Sequence, residues 1–521
     1  MNSNIIIIIM CSVIIGLIIT FTIKDKKKKK LEDEKSVTLD GEKLEDEFQY
    51  HAFNLHKLAP IFELKICNKN LDNLDFLNKL ELDTLVIENC KINNLYPILK
   101  LKKLDTLIIK DSPIFNFLFL KNLPDLKNLS LTNCSIKNFD IKNINIKNLE
   151  RLDLSYNLIE NISFLYNFKN LVFLNVKGNN IKDISLIKNL PNLKTLDISE
   201  NLIEDISAII NLENLSEFVA TKNYIKNIPK FEGNNKLYYF DLEENMISNL
   251  DNLKVLNNLE NLILSKNKIS DISCLSNLNK LENLNLECNF IKNLPDLSNL
   301  KSLEALDLRY NFIKDMGNIT NLTSLKNLYI LSNPIKNLDF IKGLDLNKLV
   351  LGKNNINDFS PVKNCKNLYT LIIINLKINN LEFLGNLKNL ESLYIYNIFS
   401  DDISSIKNLE NIKQLKLNRL NIKDISSLEN LKSINQLSIE NTFVEDISYL
   451  KNLKEIENLI LENNLIKNIH KIENMNCLNI NPNTKRKYNL FNKILKDNLK
   501  LDLESFEASE DKYLYIFNKR V

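Results

Sequence analysis

The chain has 521 residues, 44% hydrophobic, with 68 Lys and Arg against 65 Asp and Glu and a formal charge of +3. The lysine tract after residue 23 supplies that excess, so the remaining body is near neutral and lacks the basic footprint of a nucleic-acid binder. Its eight cysteines form no CxxC pair and no dense cluster, which fits neither a zinc site nor a disulfide framework.

The first element is IIIIIMCSVIIGLIITFTI, Ile5 to Ile23, nineteen residues without a charge. A helix of that length rises about 28 Å, close to the roughly 30 Å hydrocarbon core of a bilayer. No positive side chain precedes it and no Ala-x-Ala cleavage pattern follows it. Residues 1–23 are therefore expected to be a transmembrane anchor, with a cleaved signal peptide as the alternative. Lys24 and Lys26 to Lys30 follow at once and open a charged linker over 24–39. Lys and Arg beside a spanning helix stay on the cytoplasmic side, which predicts a single-pass protein with the rest of the chain in the cytoplasm. Residues 40–60 read as an N-terminal cap helix, with Leu44, Phe48, Ala52, Leu55 and Leu58 on one face.

From Ile61 to Cys477 the chain repeats itself about nineteen times. Asn157, Asn179, Asn201, Asn223, Asn245, Asn267, Asn289, Asn311 and Asn333 recur every 22 residues. Asn354 comes one residue early, and Asn464 returns to the register. The unit is L-x-x-L-x-L-x-x-N-x-I-x-D-I-S-x-L-x-N-L-x-x, seen clearly in LKTLDISENLIEDISAIINLEN, Leu193 to Asn214. The L-x-x-L-x-L segment is a short strand whose leucines point inward. The Asn stands where the chain leaves the sheet, and its amide can donate and accept to the backbone there. One unit cannot bury its apolar side alone, so units stack. Cys90 and Cys134 take the Asn position and read as reduced core cysteines. Residues 478–521 read as a C-terminal cap. Tyr488, Phe491, Ile494 and Leu495 make an apolar stripe there, before an alternating KYLYIFNKRV.

These N-x-I-x-D-I-S-x-L runs resemble the leucine-rich repeat family, specifically its 22-residue class, which includes internalins and SDS22-type phosphatase regulators. The resemblance implies an α/β repeat fold. It would be a leucine-rich repeat solenoid with a curved parallel β-sheet on the concave face and short 3-10 or irregular segments on the convex face. It also implies a protein-binding scaffold. Two alternatives within it are an SDS22-like regulator of an enzyme such as a phosphatase and an internalin-like extracellular adhesion protein.

Nothing in the sequence argues for catalysis. The three histidines, His51, His56 and His470, form no metal pair, and no phosphate-binding glycine loop exists. No cofactor, metal or small-molecule substrate is implied. What remains is a surface. Positions 3, 5 and 7 of each unit are expected to face out of the sheet, with polar pairs such as Thr195 and Asp197. In four consecutive later units those positions instead carry Tyr329 and Leu331, Val350, Ile372 and Ile374, then Tyr394 and Tyr396. Such a patch marks a protein-binding site, or it is strand filler chosen for β propensity. In the same region the Asn position becomes Leu376, Ile398, Leu420 and Thr442. Either the turn geometry differs there, or Asn375, Asn397 and Asn441 take over its hydrogen bonds.

Overall fold

A computed structural model describes residues 35–40, 61–467 apart from 73, 143, 233–235 and 318, and 479–481. The chain falls into two compact units, Met1–Ile225 and Lys226–Val521. In the first, the strands Ile61–Cys67, Thr84–Glu88, Thr106–Lys110, Asn128–Thr132, Arg151–Asp153, Phe173–Asn175, Thr195–Asp197 and Glu217–Val219 follow one another. Each pairs in parallel with the next. Lys35–Asp40, in the stretch expected to be a charged linker, is also a strand and pairs in parallel with Ile61–Cys67. In the second unit the same order runs from Tyr239–Asp241 to Asn479–Asn481. Among the described residues no helix is long and apolar enough to cross a membrane. The run Ile5–Ile23, residues 41–60 and nearly all of the expected C-terminal cap lie outside the described residues.

One copy shows why the unit folds as it does. Leu193, Leu196, Ile198, Ile203, Ile206, Ile209 and Leu212 are all fully buried, so the leucines of the strand and the isoleucines of the return segment share one core. The return is a short 3-10 helix, Ser207–Asn211. The Asp of Asp-Ile-Ser starts it: Asp205 Oδ1 accepts the Ser207 N–H at 2.7 Å. Asp183, Asp271, Asp402 and Asp424 do the same for Ser185, Ser273, Ser404 and Ser426. Those hydrogen bonds hold the Asp271 carboxyl below its ordinary range.

The Asn ladder works through its amides. Asn201 Nδ2 donates to the Ile198 and Ser199 carbonyls and, across the unit boundary, to Val176. Asn201 Oδ1 accepts from the Ile181 N–H of the preceding unit. Just before the Asn position, whether or not Asn fills it, the described units hold a residue in the left-handed region: Glu200 at φ 53°, Lys266 at 55°, Tyr310 at 53°, Arg419 at 58°. At Cys134 the Asn role is divided. Its N–H donates to Asn157 Oδ1, and its Sγ to the Ile109 carbonyl. Burial pushes that thiol up to about 12.

Strand length follows the turn. Units with the buried Asn from Asn157 to Asn333 have three-residue strands. The strands that lead to Cys90, Ser112, Cys134, Leu376, Ile398, Leu420 and Thr442 have five. In six of these nine short strands a pair of side chains opens one rung. Asp153, Asn175, Asp197, Asp241, Asn285 and Asp307 fold back to accept the N–H two residues on, whereas Val219, Ile263 and Tyr329 hold that position in the other three. The carbonyl which that N–H would have met takes an Asn amide instead. Asp197 and Ser199 are consequently buried, not solvated as the alternation implies.

Candidate functional site

In the second unit the five-residue strands begin at Lys348–Gly352 and continue through Thr370–Ile374, Ser392–Tyr396, Gln414–Asn418 and Gln436–Glu440. Here the fifth position of the unit no longer supplies a folding-back carboxylate or amide, so it is free to be apolar. Tyr329, Val350, Ile372 and Tyr394 stand opposite one another in consecutive register, as do Gly352, Ile374 and Tyr396. At about 4.8 Å per strand, four strands span roughly 15 Å. The structure therefore brings six of the seven sequence-selected residues together on one face, and Leu331 follows the Asn327–Tyr329 strand and is buried.

They are not equally accessible. Tyr329, Ile372, Ile374, Tyr394 and Tyr396 are half-buried, whereas Val350 is 6% exposed and Leu331 only 2%. Gly352 explains Leu331. The period is one residue short between Asn333 and Asn354, and a Cβ on Gly352 would lie 2.6 Å from Leu331 Cδ1 and 2.3 Å from the Ile374 carbonyl oxygen. Leu331 therefore leans over the glycine and forms floor rather than rim. Asn354 keeps the slipped turn together, accepting the Gly352 N–H and donating to the Ile330 and Asn333 carbonyls.

The turns beyond the patch are apolar. Leu376, Ile398 and Leu420 are at most 3% exposed. The residue before each keeps the left-handed conformation, φ 52°, 52° and 58°. Asn375, Asn397 and Asn441 do not take over the buried amide's work. Asn397 Nδ2 donates to Asn375 Oδ1 at 2.6 Å on the surface, and Asn441 Nδ2 to Asn418 Oδ1 at 3.2 Å.

Charge brackets the patch, a feature that reading one unit at a time does not reveal. On one side Arg309 binds Asp307 through Nε at 2.9 Å and Glu287 through Nη2 at 2.7 Å, with its guanidinium 5.6 Å from the Tyr329 ring centre. Asp307 takes most of that cation, and burial pushes the Glu287 carboxyl up to about 7 despite Arg309. On the other side Lys416 pairs with Glu440 at 3.0 Å and lies 5.8 Å from the Tyr396 ring centre. Lys348 Nζ lies 5.2 Å from the Tyr329 ring centre. The Tyr394 hydroxyl donates to Gln414 Oε1. Burial pushes the Tyr329 and Tyr396 phenols up to about 12. Nothing in this arrangement pairs a nucleophile with a base.

Residues 169–211 and 301–343 match the family model for leucine-rich repeats in two copies. None of the curated proteins matches the sequence. Among solved structures, a leucine-rich repeat protein of Leptospira interrogans is similar at 25% identity over 67% of this chain and 86% of that one, with a TM-score of 0.55. The plant peptide hormone receptor RGFR1, in complex with RGF2, is similar at 20% identity over 81% and 78%, with a TM-score of 0.56. An internalin of Listeria monocytogenes aligns at 27% identity over 68% and 86%, but its TM-score of 0.38 is too low to bear on function. The chain is a leucine-rich repeat protein.

Proposed function

We propose that this leucine-rich repeat protein is a non-catalytic scaffold that binds a protein partner on the sheet face of its second unit. Tyr329, Ile372, Ile374, Tyr394 and Tyr396 make the contact, over a covered floor of Leu331 and Val350. The observation that carries this reading is the in-register apolar row across four adjacent strands, flanked at the same position by Asp307 on one side and Lys416 on the other. Half-exposed tyrosines over a covered aliphatic floor have the anatomy of an interface core. The double variant Tyr394→Ala/Tyr396→Ala should lose at least about 2 kcal/mol of affinity for the natural partner. Thr195→Ala, on the first unit, should lose almost none. Equal retention of partner by both in a quantitative pull-down, with melts unchanged, would reduce the row to strand filler.

The same reading places the repeats in the cytoplasm, held at the membrane through Ile5–Ile23. Cys90, Cys134, Cys274, Cys288 and Cys365 are thiols rather than disulfides, which suits a reducing compartment. A partner enzyme such as a phosphatase fits that location. The internalin-like alternative, with a cleaved signal and an extracellular partner, predicts the opposite result in a protease test. A C-terminal epitope tag should survive protease on intact cells and vanish after permeabilisation. Loss on intact cells would move the repeats outside.

A further inference from the structure

The sheet face carries several cations, and most sit within 4 Å of a carboxylate. Lys65 pairs with Glu88 at 2.7 Å, Lys177 with Glu200 at 3.3 Å, Lys266 with Glu243 at 2.8 Å, and Lys416 with Glu440 at 3.0 Å. Arg151 of the first unit makes no such pair among the described residues, and burial pushes it below the ordinary arginine range, but three carboxylates, Asp153, Glu217 and Glu150, pull the other way. Lys348 is different. It stands two residues before Val350, on the same face, and its register partners Asn327 and Thr370 are neutral. It makes no ion pair among the described residues, and its Nζ rests over the Tyr329 ring. Burial and the nearby Arg309 both push its ammonium below the ordinary lysine range, against the weaker pull of Asp307.

A half-buried ammonium without an ion-pair partner, at the edge of an apolar surface, is costly in the free protein. An anion that arrived together with apolar groups would relieve that cost and gain a charge-assisted hydrogen bond in a desolvated setting. A freely hydrated ion would gain much less, because it would leave the apolar row uncovered. We propose that Lys348 receives a carboxylate of the bound protein, so that the partner segment carries an acidic group beside the apolar side chains that cover Tyr329, Val350, Ile372 and Tyr394. This rests on the reading of the row as a binding surface and adds the chemistry of what it binds.

A random peptide display library selected on the full chain tests it. Peptides enriched on the wild type should combine Asp or Glu with neighbouring aliphatic or aromatic residues. Selection on Lys348→Glu should replace the acid with Lys or Arg. A wild-type peptide should bind Lys348→Met at least tenfold more weakly, and its Asp-to-Lys counterpart should recover binding on Lys348→Glu. Synthesis of each peptide with a free and an amidated C-terminus separates a terminal carboxylate from a side-chain one. Thermal melts check that the Lys348 variants fold. Peptides that lose binding on Tyr394→Ala but show no acid preference, or ignore Lys348, would overturn the carboxylate and leave the surface standing. Peptides insensitive to both Tyr394→Ala and Lys348→Met, or no enrichment at all, would overturn the surface itself.

Discussion

The units around Asn267 and the units around Leu376 solve one problem in two ways. Both must turn a chain out of a parallel sheet and bury the turn. Around Asn267 the turn is polar: one amide donates to the Leu242, Leu264 and Ser265 carbonyls, and its oxygen accepts from Ile247. That solution takes a rung from the sheet and obliges the fifth position to be Asp or Asn in most units. Around Leu376 the turn is an apolar plug, the sheet runs two residues further, and the fifth position is released. Most of the apolar row, from Val350 to Tyr396, lies on these longer strands, while Tyr329 ends the last three-residue strand before them. An apolar turn thus frees the fifth position from its folding-back role.

The comparison can be broken most severely at the plug. Leu376→Asn removes a buried leucine and places an amide where the longer strand has already satisfied the backbone, which should cost about 3–5 kcal/mol in urea unfolding. The reverse exchange, Asn267→Leu, strips the Ile247 N–H of its partner and takes one of two donors from each of the Leu242, Leu264 and Ser265 carbonyls, and should cost about 2–4 kcal/mol. If either were neutral, the two turn types would be interchangeable and strand length would need another cause.

A smaller effect sharpens the boundary between the regions. Folded Glu287 keeps its proton up to about pH 7, whereas the unfolded chain releases it in the ordinary carboxylate range. The folded state therefore binds the extra proton between those limits, and its stability falls as pH rises through them. Glu287→Gln stays neutral throughout. It should gain on the order of 1–2 kcal/mol relative to wild type between pH 5 and pH 8, read from unfolding midpoints. A constant difference across that range would show the Glu287 carboxyl to be charged already at pH 5. At the small end, Lys266→Ala removes ion pairs of a half-exposed side chain to Glu243 and Glu244. It should shift stability by less than about 0.5 kcal/mol. A larger loss would mean that surface charge, not the amide ladder, holds the polar turns.

The 22-residue period, the strand, the buried leucines and the turn role of Asn were legible because each is written inside one unit. So was the scaffold role of Asp-Ile-Ser, whose acceptor and donor are two residues apart. Six residues of the apolar row could be placed on one face too, since alternation within a strand puts them there, but Leu331 could not. What depends on the neighbouring unit was not legible. Asp197 looks solvated by alternation, yet it turns back on the Ser199 N–H and is covered. Leu331 looks exposed until Gly352, 21 residues on, gives it somewhere to fall. The isolation of Lys348 exists only because the facing residues Asn327 and Thr370 are uncharged.

The left-handed residue before each turn has a consequence for how this chain can change. Left-handed backbone costs an ordinary L-residue about 1 kcal/mol, and of Glu200, Lys222, Lys266, Tyr310, Arg419 and their equivalents among the described residues only Gly178 is glycine. The chain therefore carries a strain that recurs with every repeat and that single glycine substitutions could remove one unit at a time. These side chains lie outside the core, so the row tolerates replacement without disturbing the stacked leucines. Heat resistance could drift upward through it, or surface chemistry could be rewritten along it, in steps no larger than one codon.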